Sequence, residues 1–457
     1  MNTDPAAVAR LADELPDLDW ITDPQRVGRL SQDFAWFSPV LKRQLADKRA
    51  DLAVRPRTEA EIRRVVAACA RDGIALTIRG SGTGNYGQSV PLHGGLILDM
   101  SGYNGFGWVR DGVGRAQAGI RLGDFDKQAR PAGWELRWLP STFRSATLGG
   151  LFGGGFGGAG SITYGPMAAT GNVLGARVMT VEPQPRVIEL RAPEALLLHH
   201  VYGTNGIVLE LEVALAPALA WTECIATFAS YDRGLEFASA LAAAPGLVKK
   251  EVCFLGAPIA DHLTALAPHL PAGCHAVILL VADTSEPGMQ ELLAAHGGRL
   301  TYLKTADEVR ASNRTLLEYT WNHTTLVALK ADKTLTYIQS GFDPARHVEQ
   351  AKALERALAG EVMMHLEFLR TKEGAHNCSG LQLIRYTSDE RLDEIMRIYR
   401  EHGVSINNPH VYIVEDGKQG RLDPAVLDVK RRYDPQGLLN PGKLRGWPVQ
   451  AAAAAAA

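Results

Sequence analysis

The sequence lacks the features that mark several large classes of protein. Its five cysteines are scattered, odd in number and never form a Cys-x-x-Cys pair, which disfavours a disulfide framework or an iron–sulfur cluster. Lys plus Arg number 48 and Asp plus Glu 50, without a block of like charge, so nucleic acid is not expected as a partner. No stretch reaches the roughly 18 apolar residues of a membrane span, and residues 1–20 do not resemble a signal peptide. We therefore expect a cytoplasmic protein without a transmembrane segment.

Glycine, in contrast, is concentrated in one region. Of 46 glycines, 25 lie between Gly80 and Gly175, far above the average use of about 7%. The region has no three-residue period and contains apolar runs such as residues 96–100, so it is neither collagen-like nor a flexible linker. Its backbone is expected to approach a ligand or another chain segment closely.

Residues 58–89 predict a helix, a strand and a glycine loop. Thr58 and Glu61 form a capping-box pattern, and Gly73 supplies a helix stop. A strand at 74–78 leads into Arg79-Gly80-Ser81-Gly82-Thr83-Gly84-Asn85. Glycines at alternate positions free successive N–H groups for an anion nest that suits a diphosphate, and Arg79 is placed to pair with a phosphate. A flexible turn is the alternative, while the absence of Gly-Lys-Ser/Thr and of a following helix disfavours a P-loop or a Rossmann turn.

A second glycine segment lies at residues 146–165. It has eight glycines in the twelve residues 149–160, which is costly in backbone entropy unless close contact is required. A strand is predicted at 172–180, and residues 203–207 enter another strand in which apolar residues alternate.

These pieces, in this order, resemble the FAD-binding domain of the vanillyl-alcohol oxidase and p-cresol methylhydroxylase (PCMH) type. The matching motifs are RGSGTGN at Arg79, LDMSGYN at Leu98, ATLGG at Ala146, GSITYG at Gly160 and GTNGI at Gly203. The chain end, YDPQGLLNPGK at 433–443, is similar to the terminal signature of FAD-linked oxidases related to glycolate oxidase and D-lactate dehydrogenase.

The resemblance implies an α+β fold with a two-subdomain PCMH-type FAD-binding domain and an α+β substrate domain, the cap, which contains an antiparallel sheet. The expected divisions are an N-terminal helical segment at 1–50, the FAD-binding domain at 51–220, the cap at 221–402, a C-terminal segment at 403–447 that returns to the FAD-binding domain, and a poly-alanine tail at 451–457.

By the same resemblance, the two glycine segments wrap the diphosphate and ribityl chain of FAD. In many relatives a histidine in the first loop bonds covalently to the flavin. Thr83 stands there, and no cysteine lies near 140–142 for a second bond, so a noncovalent FAD is expected. The predicted FAD-binding residues are Arg79, Gly80, Ser81, Gly82, Thr83, Gly84, Asn85, Gln88, Ser89, Pro140, Thr147, Gly149, Gly150, Gly153, Gly154, Gly160, Ser161, Tyr164, Gly206, Ile207, Asn440 and Lys443.

Candidate catalytic residues come from two polar clusters. Flavin oxidation of an alcohol needs a base for the hydroxyl proton and positive charge or donors near the reduced ring. We predict that residues 407–412 form a strand with His410 and Tyr412 on one face. His410 is the first choice as base, and His323 in the cluster at 321–325 is the second. For each histidine a purely structural role is the alternative.

The leading hypothesis is oxidation of the CH–OH group of a 2-hydroxy acid, of the glycolate or D-lactate type, by hydride transfer to FAD. Metal-dependent relatives carry two histidines in a glycine-rich cap motif that residues 365–378 lack, so no metal is expected. A zinc site at His365, Glu367 and His376 is the weaker interpretation.

Two other functions stay open. Relatives bind the substrate carboxylate through an arginine shortly after the tryptophan where this chain has Trp321-Asn322-His323, so an aromatic or aliphatic alcohol is an alternative substrate. The chain is otherwise the flavin subunit of a multi-subunit electron-transfer complex. Electrons would leave to oxygen, a quinone or a partner redox protein, and a homo- or hetero-oligomer is compatible with the sequence. A Rossmann-type NAD dehydrogenase is disfavoured by the loop context.

Overall fold

The structure, a computed structural model, describes residues 3–417, 420 and 422–447. The predicted poly-alanine tail lies outside this range. The described chain has the mixed α+β architecture that the sequence predicts, with helices packed on four sheets. None of the helices in these ranges is both long enough and apolar enough to span a membrane.

The first sheet and its helices are built from residues 5–99. The helices are α1 Pro5–Glu14, α2 Pro24–Leu30, α3 Pro39–Gln44 and α4 Glu59–Asp72, and the strands are β1 Trp20–Ile21, β2 Leu52–Val54, β3 Leu76–Arg79 and β4 Leu96–Asp99. The strand order is β1-β2-β4-β3, with β4 parallel to both of its neighbours. Helix α4 confirms the predicted start and stop: the Thr58 side chain accepts from Glu61 N, and Gly73 ends the helix with a φ of +67°. The sheet ends where the first glycine loop leaves β3.

The second sheet is antiparallel and lies next along the chain. Its strands are β5 Phe106–Arg110, β6 Val113–Gln117, β7 Trp134–Leu136, β8 Val173–Met179, β9 Val187–Arg191 and β10 Ile207–Pro217, and the helices between them are α5 Leu122–Ala129, α6 Leu148–Gly154 and α7 Ser161–Tyr164. The order is β5-β6-β10-β8-β9, with β7 also paired to β10. The second glycine segment is therefore largely helical rather than a loop.

The predicted cap contains a large antiparallel sheet. The strands that follow β10 are β11 Trp221–Phe228, β12 Lys249–Leu255, β13 His275–Ala282, β14 Arg299–Lys304, β15 Leu335–Tyr337, β16 Gln339–Gly341, β17 Val362–Met363, β18 His365–Arg370, β19 His376–Gly380, β20 Leu383–Arg385 and β21 Ser405–Asn407. Eight of them pair in the order β14-β11-β13-β12-β18-β19-β16-β21, and the other three form a small sheet, β15-β20-β17. The helices of this part are α8 Tyr231–Ala243, α9 Ala257–Ala260, α10 Glu286–Ala295, α11 Ala306–Ser312, α12 Trp321–Ala331, α13 His347–Ala357 and α14 Asp389–Glu401.

The chain end lies against the first sheet. After α15 Val414–Gly417 and α16 Pro424–Tyr433, Leu438 O accepts from Leu76 N at 2.8 Å, and Asn440 N donates to Leu76 O at 2.7 Å. This segment therefore lies beside β3, directly behind the first glycine loop.

The strand predicted for residues 407–412 is wrong. Strand β21 ends at Asn407, and residues 409 and 410 form a turn. The Asn408 side chain accepts from His410 N at 2.9 Å, and Pro409 cannot donate to a ladder. His410 and Tyr412 consequently do not share a strand face.

Candidate functional site

A cavity of about 550 Å³ lies where the glycine-rich half of the chain meets the cap. Four parts of the chain line it: the loop after β3, the segment around α6, the segment before β10, and residues of the cap and β21 that include Trp321, Gln339 and Asn407. The cavity therefore extends from the two glycine segments to the cap.

The loop after β3 is held in place from behind by Arg79. The guanidinium of Arg79 is 8% exposed and donates to Gln32 O at 2.8 Å and to Ser89 Oγ at 3.1 Å. Gly82, with a φ of +65°, passes so close to this guanidinium that a Cβ would lie 2.1 Å from Nη2. Arg79 thus organises the loop through protein contacts. A larger residue at position 82 would require the Arg79 side chain or the loop to move.

Helix α6 brings four glycines to the cavity wall. Thr147 is its N-cap and accepts from Gly150 N at 3.1 Å, while Leu148, Leu151 and Phe152 are its buried residues. A Cβ on Gly149 would lie 2.6 Å from Ala118 Cβ, whereas a Cβ on Gly153 would meet no atom closer than 4.0 Å. Some glycines of α6 thus allow close packing, and Gly153 leaves space in the cavity.

An aromatic group lines the cavity between the glycine loops and the cap. Tyr86 and Tyr202 stack at 6.4 Å between ring centroids, and the His200 ring lies 5.6 Å from that of Tyr202. Tyr86 Oη donates to Gln339 in β16. His200 and Tyr202 have positive φ values of 54° and 57°, a conformation that costs about 1–3 kcal/mol and is often found at functional sites.

The cap end of the lining is largely uncharged. It includes Trp321 and Asn322 at the start of α12, Gln339 and Asn408, and Lys372 in the turn before β19. Lys372 is exposed and is the only Lys, Arg, Asp or Glu among the described residues that line the cavity. Recognition of a charged group at this end would therefore depend on one exposed lysine among the described residues.

The lining fits a long, polar cofactor. Gln88 Oε1 and Asn322 Oδ1 are buried atoms of lining residues without a hydrogen-bond partner among the described residues. Buried polar atoms are normally paired, so these two call for a ligand. The glycines supply the close backbone approach that a diphosphate requires, and the residues present are compatible with FAD.

The structure brings most of the predicted FAD-binding residues together. Those that line the cavity are Gly80, Ser81, Gly82, Thr83, Gly84, Asn85, Gln88, Ser89, Pro140, Thr147, Gly149, Gly150, Gly153, Gly154 and Gly206. Those that lie outside the lining are Arg79, Gly160, Ser161, Tyr164, Ile207, Asn440 and Lys443. Their contact with FAD stays a prediction for every residue in both sets.

Several residues outside the lining support it instead. Gly160 N donates to Lys250 O at 2.6 Å and so ties the glycine segment to β12 of the cap. Asn440 Nδ2 donates to Gln88 O and to Tyr202 O, both at 2.7 Å. Lys443 is fully buried and donates to Gly87 O at 2.6 Å, and burial lowers its pKa to about 7.

The three predicted catalytic residues do not line the cavity. His410 is 4% exposed, its Nδ1 lies 2.8 Å from Ser38 Oγ, and burial lowers its pKa to about 4. His323 is half-buried in α12, where burial also lowers its pKa. Tyr412 lies under Lys443, with Nζ 5.1 Å from the ring centroid. A role for these groups in proton transfer stays a prediction, and no cavity contact supports it.

Several residues that line the cavity are not among the site residues predicted from the sequence. Trp321 and Asn322 belonged to a cluster from which only His323 was chosen, and Tyr86, His200 and Tyr202 adjoin glycine motifs that were interpreted as cofactor contacts. Adjacency to these motifs was the available signal. Adjacency to a motif does not predict side-chain direction, which decides whether a residue faces a cavity.

The weaker zinc interpretation is only partly reflected in the geometry. His365 and Glu367 lie together on β18, where His365 Nε2 is 2.7 Å from Glu367 Oε1. Cys253 on β12 completes a group whose candidate ligand atoms all lie within 4.8 Å of one another. His376 stands at the other end of the hairpin, opposite Arg370, and is not part of this group.

Comparison with known proteins finds similarities in the glycine-rich part of the chain. A family model described as "FAD binding domain" matches residues 50–190. An uncharacterized FAD-linked oxidoreductase of Mycobacterium tuberculosis is 30% identical over 193 residues, 40% of this chain. That match spans only 41% of the length of the Mycobacterium protein. The D-2-hydroxyglutarate dehydrogenase of Escherichia coli is 31% identical over 156 residues, 31% of this chain and 14% of its own.

Two further similarities extend over most of the chain. Glycolate oxidase subunit GlcD of Bacillus subtilis is 24% identical over 424 residues, 86% of this chain and 88% of the relative. A solved structure of alkyldihydroxyacetonephosphate synthase superimposes with a TM-score of 0.71 over 96% of this chain and 86% of that one. At 16% identity this second likeness shows a common fold.

Proposed function

We propose that this chain, in which residues 50–190 belong to the FAD-binding domain family of FAD-linked oxidoreductases, is an FAD-dependent oxidoreductase that oxidises a CH–OH group. The observation that carries the proposal is the continuous cavity between the glycine segments and the cap, with buried polar atoms that lack a hydrogen-bond partner in the part of the chain that the structure describes. FAD, when bound, supplies a ring that accepts the hydride of the alcohol carbon.

The glycine segments would hold the cofactor without a covalent bond. Backbone N–H groups around Gly82 and Gly84 suit the diphosphate, and Gly153 leaves room beside it. Thr83 has no nucleophilic nitrogen or sulfur with which to attach the flavin. Acid precipitation should therefore leave the yellow colour in the supernatant, and colour in the protein pellet would show the noncovalent proposal to be wrong.

We propose a 2-hydroxy acid as the leading substrate class. The printed names of two relatives, a glycolate oxidase subunit and a D-2-hydroxyglutarate dehydrogenase, support this class. Lys372 is the lining side chain whose charge suits a carboxylate. An uncharged aromatic or aliphatic alcohol is the second candidate, because the lining supplies a single exposed cation at a site where bidentate recognition would use arginine.

Anaerobic mixing of the yellow protein with 2-hydroxy acids and aryl or alkyl alcohols tests both candidates. Bleaching of the visible flavin band by one class identifies the substrate, and no bleaching by any compound would refute CH–OH oxidation. The Lys372→Gln variant should raise KM for a hydroxy acid about tenfold and leave KM for a neutral alcohol unchanged. If the parent protein and Lys372→Gln have the same KM for the hydroxy acid, the uncharged alcohol is favoured as the substrate.

A role as flavin subunit of a larger assembly is a further proposal, favoured by the description of one relative as a subunit. Oxygen, a quinone or a partner redox protein would then take the electrons. Purification of the native protein from its source, followed by turnover assays before and after removal of any bound partner, distinguishes these routes. Full turnover by the isolated chain with oxygen would rule out the need for a partner.

A further inference from the structure

Trp321 occupies an unusual position at the cap end of the cavity. It begins helix α12 with a φ of +50°, in the left-handed region that bulky residues rarely adopt. Its indole Nε1 donates to Glu251 Oε2 at 2.8 Å, and its backbone N donates to Glu367 Oε1. Both polar hydrogens of Trp321 are therefore held by the cap sheet, which leaves only carbon atoms of the indole available to a ligand in the cavity that Trp321 lines.

The two carboxyls that hold Trp321 come from adjacent strands. Glu251 lies on β12 and Glu367 on β18, and Glu367 stands directly opposite Cys253. Glu251 also accepts from Val252 N at 3.1 Å, and His365 Nε2 lies 2.7 Å from Glu367 Oε1. The two carboxyls are at most 1% exposed, and burial raises the pKa of both.

This arrangement is not explained by stability. Glu251 and Glu367 have no Lys or Arg partner among the described residues, and the neighbour of Glu367 is a histidine. Such a buried pair is costly, and apolar residues of similar volume would commonly be as stable or more so. The contacts of the pair instead fix both ends of one residue, its backbone N–H and its side-chain N–H. A residue held in a strained conformation by its surroundings, at a cavity, indicates a positioned wall.

We propose that Trp321 is the specificity-determining wall at the cap end of the cavity, and that Glu251 and Glu367 are positioning residues that act through it. The site would accept a substrate with an aromatic or other flat apolar group beside the CH–OH carbon, stacked on the indole. Asn322 Oδ1 is buried and has no hydrogen-bond partner within residues 3–417, 420 and 422–447, so it is available to accept from the hydroxyl. The substrate part of this inference rests on the proposed function, whereas the positioning part does not.

The positioning part is tested without substrate. The FAD-bound protein is labelled with 5-fluorotryptophan at its eight tryptophans, and the Trp321 signal in the ¹⁹F NMR spectrum is assigned with Trp321→Phe. We expect Glu251→Leu and Glu367→Leu to shift or broaden that signal. Glu251→Gln, which keeps an acceptor oxygen, should retain most of the native position.

Two controls separate positioning from general loosening. Trp221 is an internal reference, because its Nε1 also donates to a buried carboxylate, Glu135, at 3.1 Å; its signal should stay in place in all three Glu251 and Glu367 variants. Glu223→Leu removes a buried carboxylate of the same sheet that binds Thr315 and Leu316, and it should leave the Trp321 signal unchanged. An unmoved Trp321 signal in Glu251→Leu, or equal movement of Trp221, would overturn the positioning proposal.

The specificity part is tested by steady-state kinetics on aryl and short alkyl substrates. Trp321→Leu should raise KM for the aryl compound at least fivefold and change KM for the alkyl compound less than twofold. Glu251→Leu should have a similar effect on KM for the aryl compound. The double variant Glu251→Leu with Trp321→Leu should have the same KM for the aryl compound as Trp321→Leu alone, since Glu251 acts through Trp321. Additive effects of the two substitutions on KM, or an equal rise in KM for the aryl and the alkyl compound, would overturn the specificity proposal.

The outcomes distinguish this inference from the proposed function. If no CH–OH compound reduces the flavin, the proposed function and the specificity part fail, and the ¹⁹F spectra still decide the positioning part. Stoichiometric metal in the purified protein that is lost in Glu367→Gln and Cys253→Ser would also overturn it, because the carboxyl would then serve an ion.

Discussion

Among single residues, Gly153 shows how the absence of a side chain can form a binding site. A Cβ there meets nothing within ordinary contact distance, so a larger residue would be tolerated by the fold and would occupy the cavity. We expect Gly153→Leu to weaken FAD binding at least tenfold, about 1.4 kcal/mol. Titration of the FAD-free protein, followed by quenching of flavin fluorescence, measures the change.

Gly28→Leu is the matched control for this substitution. Gly28 also lies within a helix, α2, and a Cβ there meets no atom within 4 Å, but the residue is outside the cavity lining. Its FAD affinity should equal that of the parent protein. If both variants bind FAD like the parent, Gly153 does not face the cofactor.

His410 predicts a particular dependence of stability on pH. Burial lowers its pKa to about 4 from an ordinary value of 6.5, so between these values the unfolded chain binds a proton that the folded protein does not. The free energy of unfolding therefore falls as pH drops from about 6.5 towards 4. Between pH 7 and pH 5 the loss due to His410 should be roughly 2 kcal/mol.

Urea unfolding of the parent and of His410→Gln at these two pH values isolates this contribution. The parent should lose more stability than the variant on acidification, because the variant has no imidazole to protonate. The His347→Gln variant, in which a half-buried histidine outside the cavity lining is replaced, should retain the His410 contribution. Equal losses in the parent and in His410→Gln would contradict the prediction.

At the scale of elements, helix α6 is stable only in its tertiary context. Four of its seven residues are glycine, each about 1 kcal/mol less favourable than alanine in a helix. Its N-cap, Thr147, and the burial of Leu148, Leu151 and Phe152 must offset that cost. The sequence indicated close approach at this segment correctly, but glycine content alone argued against a helix.

We expect Thr147→Ala to lower the free energy of unfolding by about 1 kcal/mol and also to weaken FAD binding, because α6 forms a wall of the cavity. Thr147→Ser should restore both. Thr58→Ala is the control, since Thr58 caps α4 in the same way, with Glu61 N at 3.2 Å, away from the cavity. Thermal unfolding and FAD titration give the two readouts, and an unchanged FAD affinity in Thr147→Ala would contradict the link.

At the scale of the whole molecule, the C-terminal segment supports two segments that line the cavity. Asn440 joins Gln88 and Tyr202 through two hydrogen bonds from one amide, across sequence separations of 352 and 238 residues. Asn440→Ala should lower stability by about 1–3 kcal/mol, since it leaves two buried carbonyls unpaired, and should weaken FAD binding. Calorimetry and FAD titration measure the two effects.

The control for Asn440 is Asn313→Ala. Asn313 shares a left-handed backbone, with a φ of 49° against 40° for Asn440, and it accepts from Arg144 at the exposed end of α11. The two substitutions carry the same backbone strain, but only Asn440 bridges distant segments at the cavity. If both variants lower FAD affinity equally, the bridge is not the cause.

Features of this protein that depend on local chemistry could be predicted from the amino-acid sequence alone. Thr58 and Gly73 bounded a helix as predicted, and the ordered motifs indicated an FAD-binding domain where a family model of that description matches residues 50–190. The alternate glycines from Gly80 to Gly84 predict a cofactor loop. These are properties of neighbouring residues, so they can be predicted without knowledge of the fold. Which side chains face the cavity depends on the packing of distant segments and could not be predicted in this way. The fold places Trp321, Asn322 and Tyr202 in the lining, and β12 and β18 bring Glu251 and Glu367 behind Trp321. His410 is a buried group, because Asn408 and Pro409 end β21 in a turn.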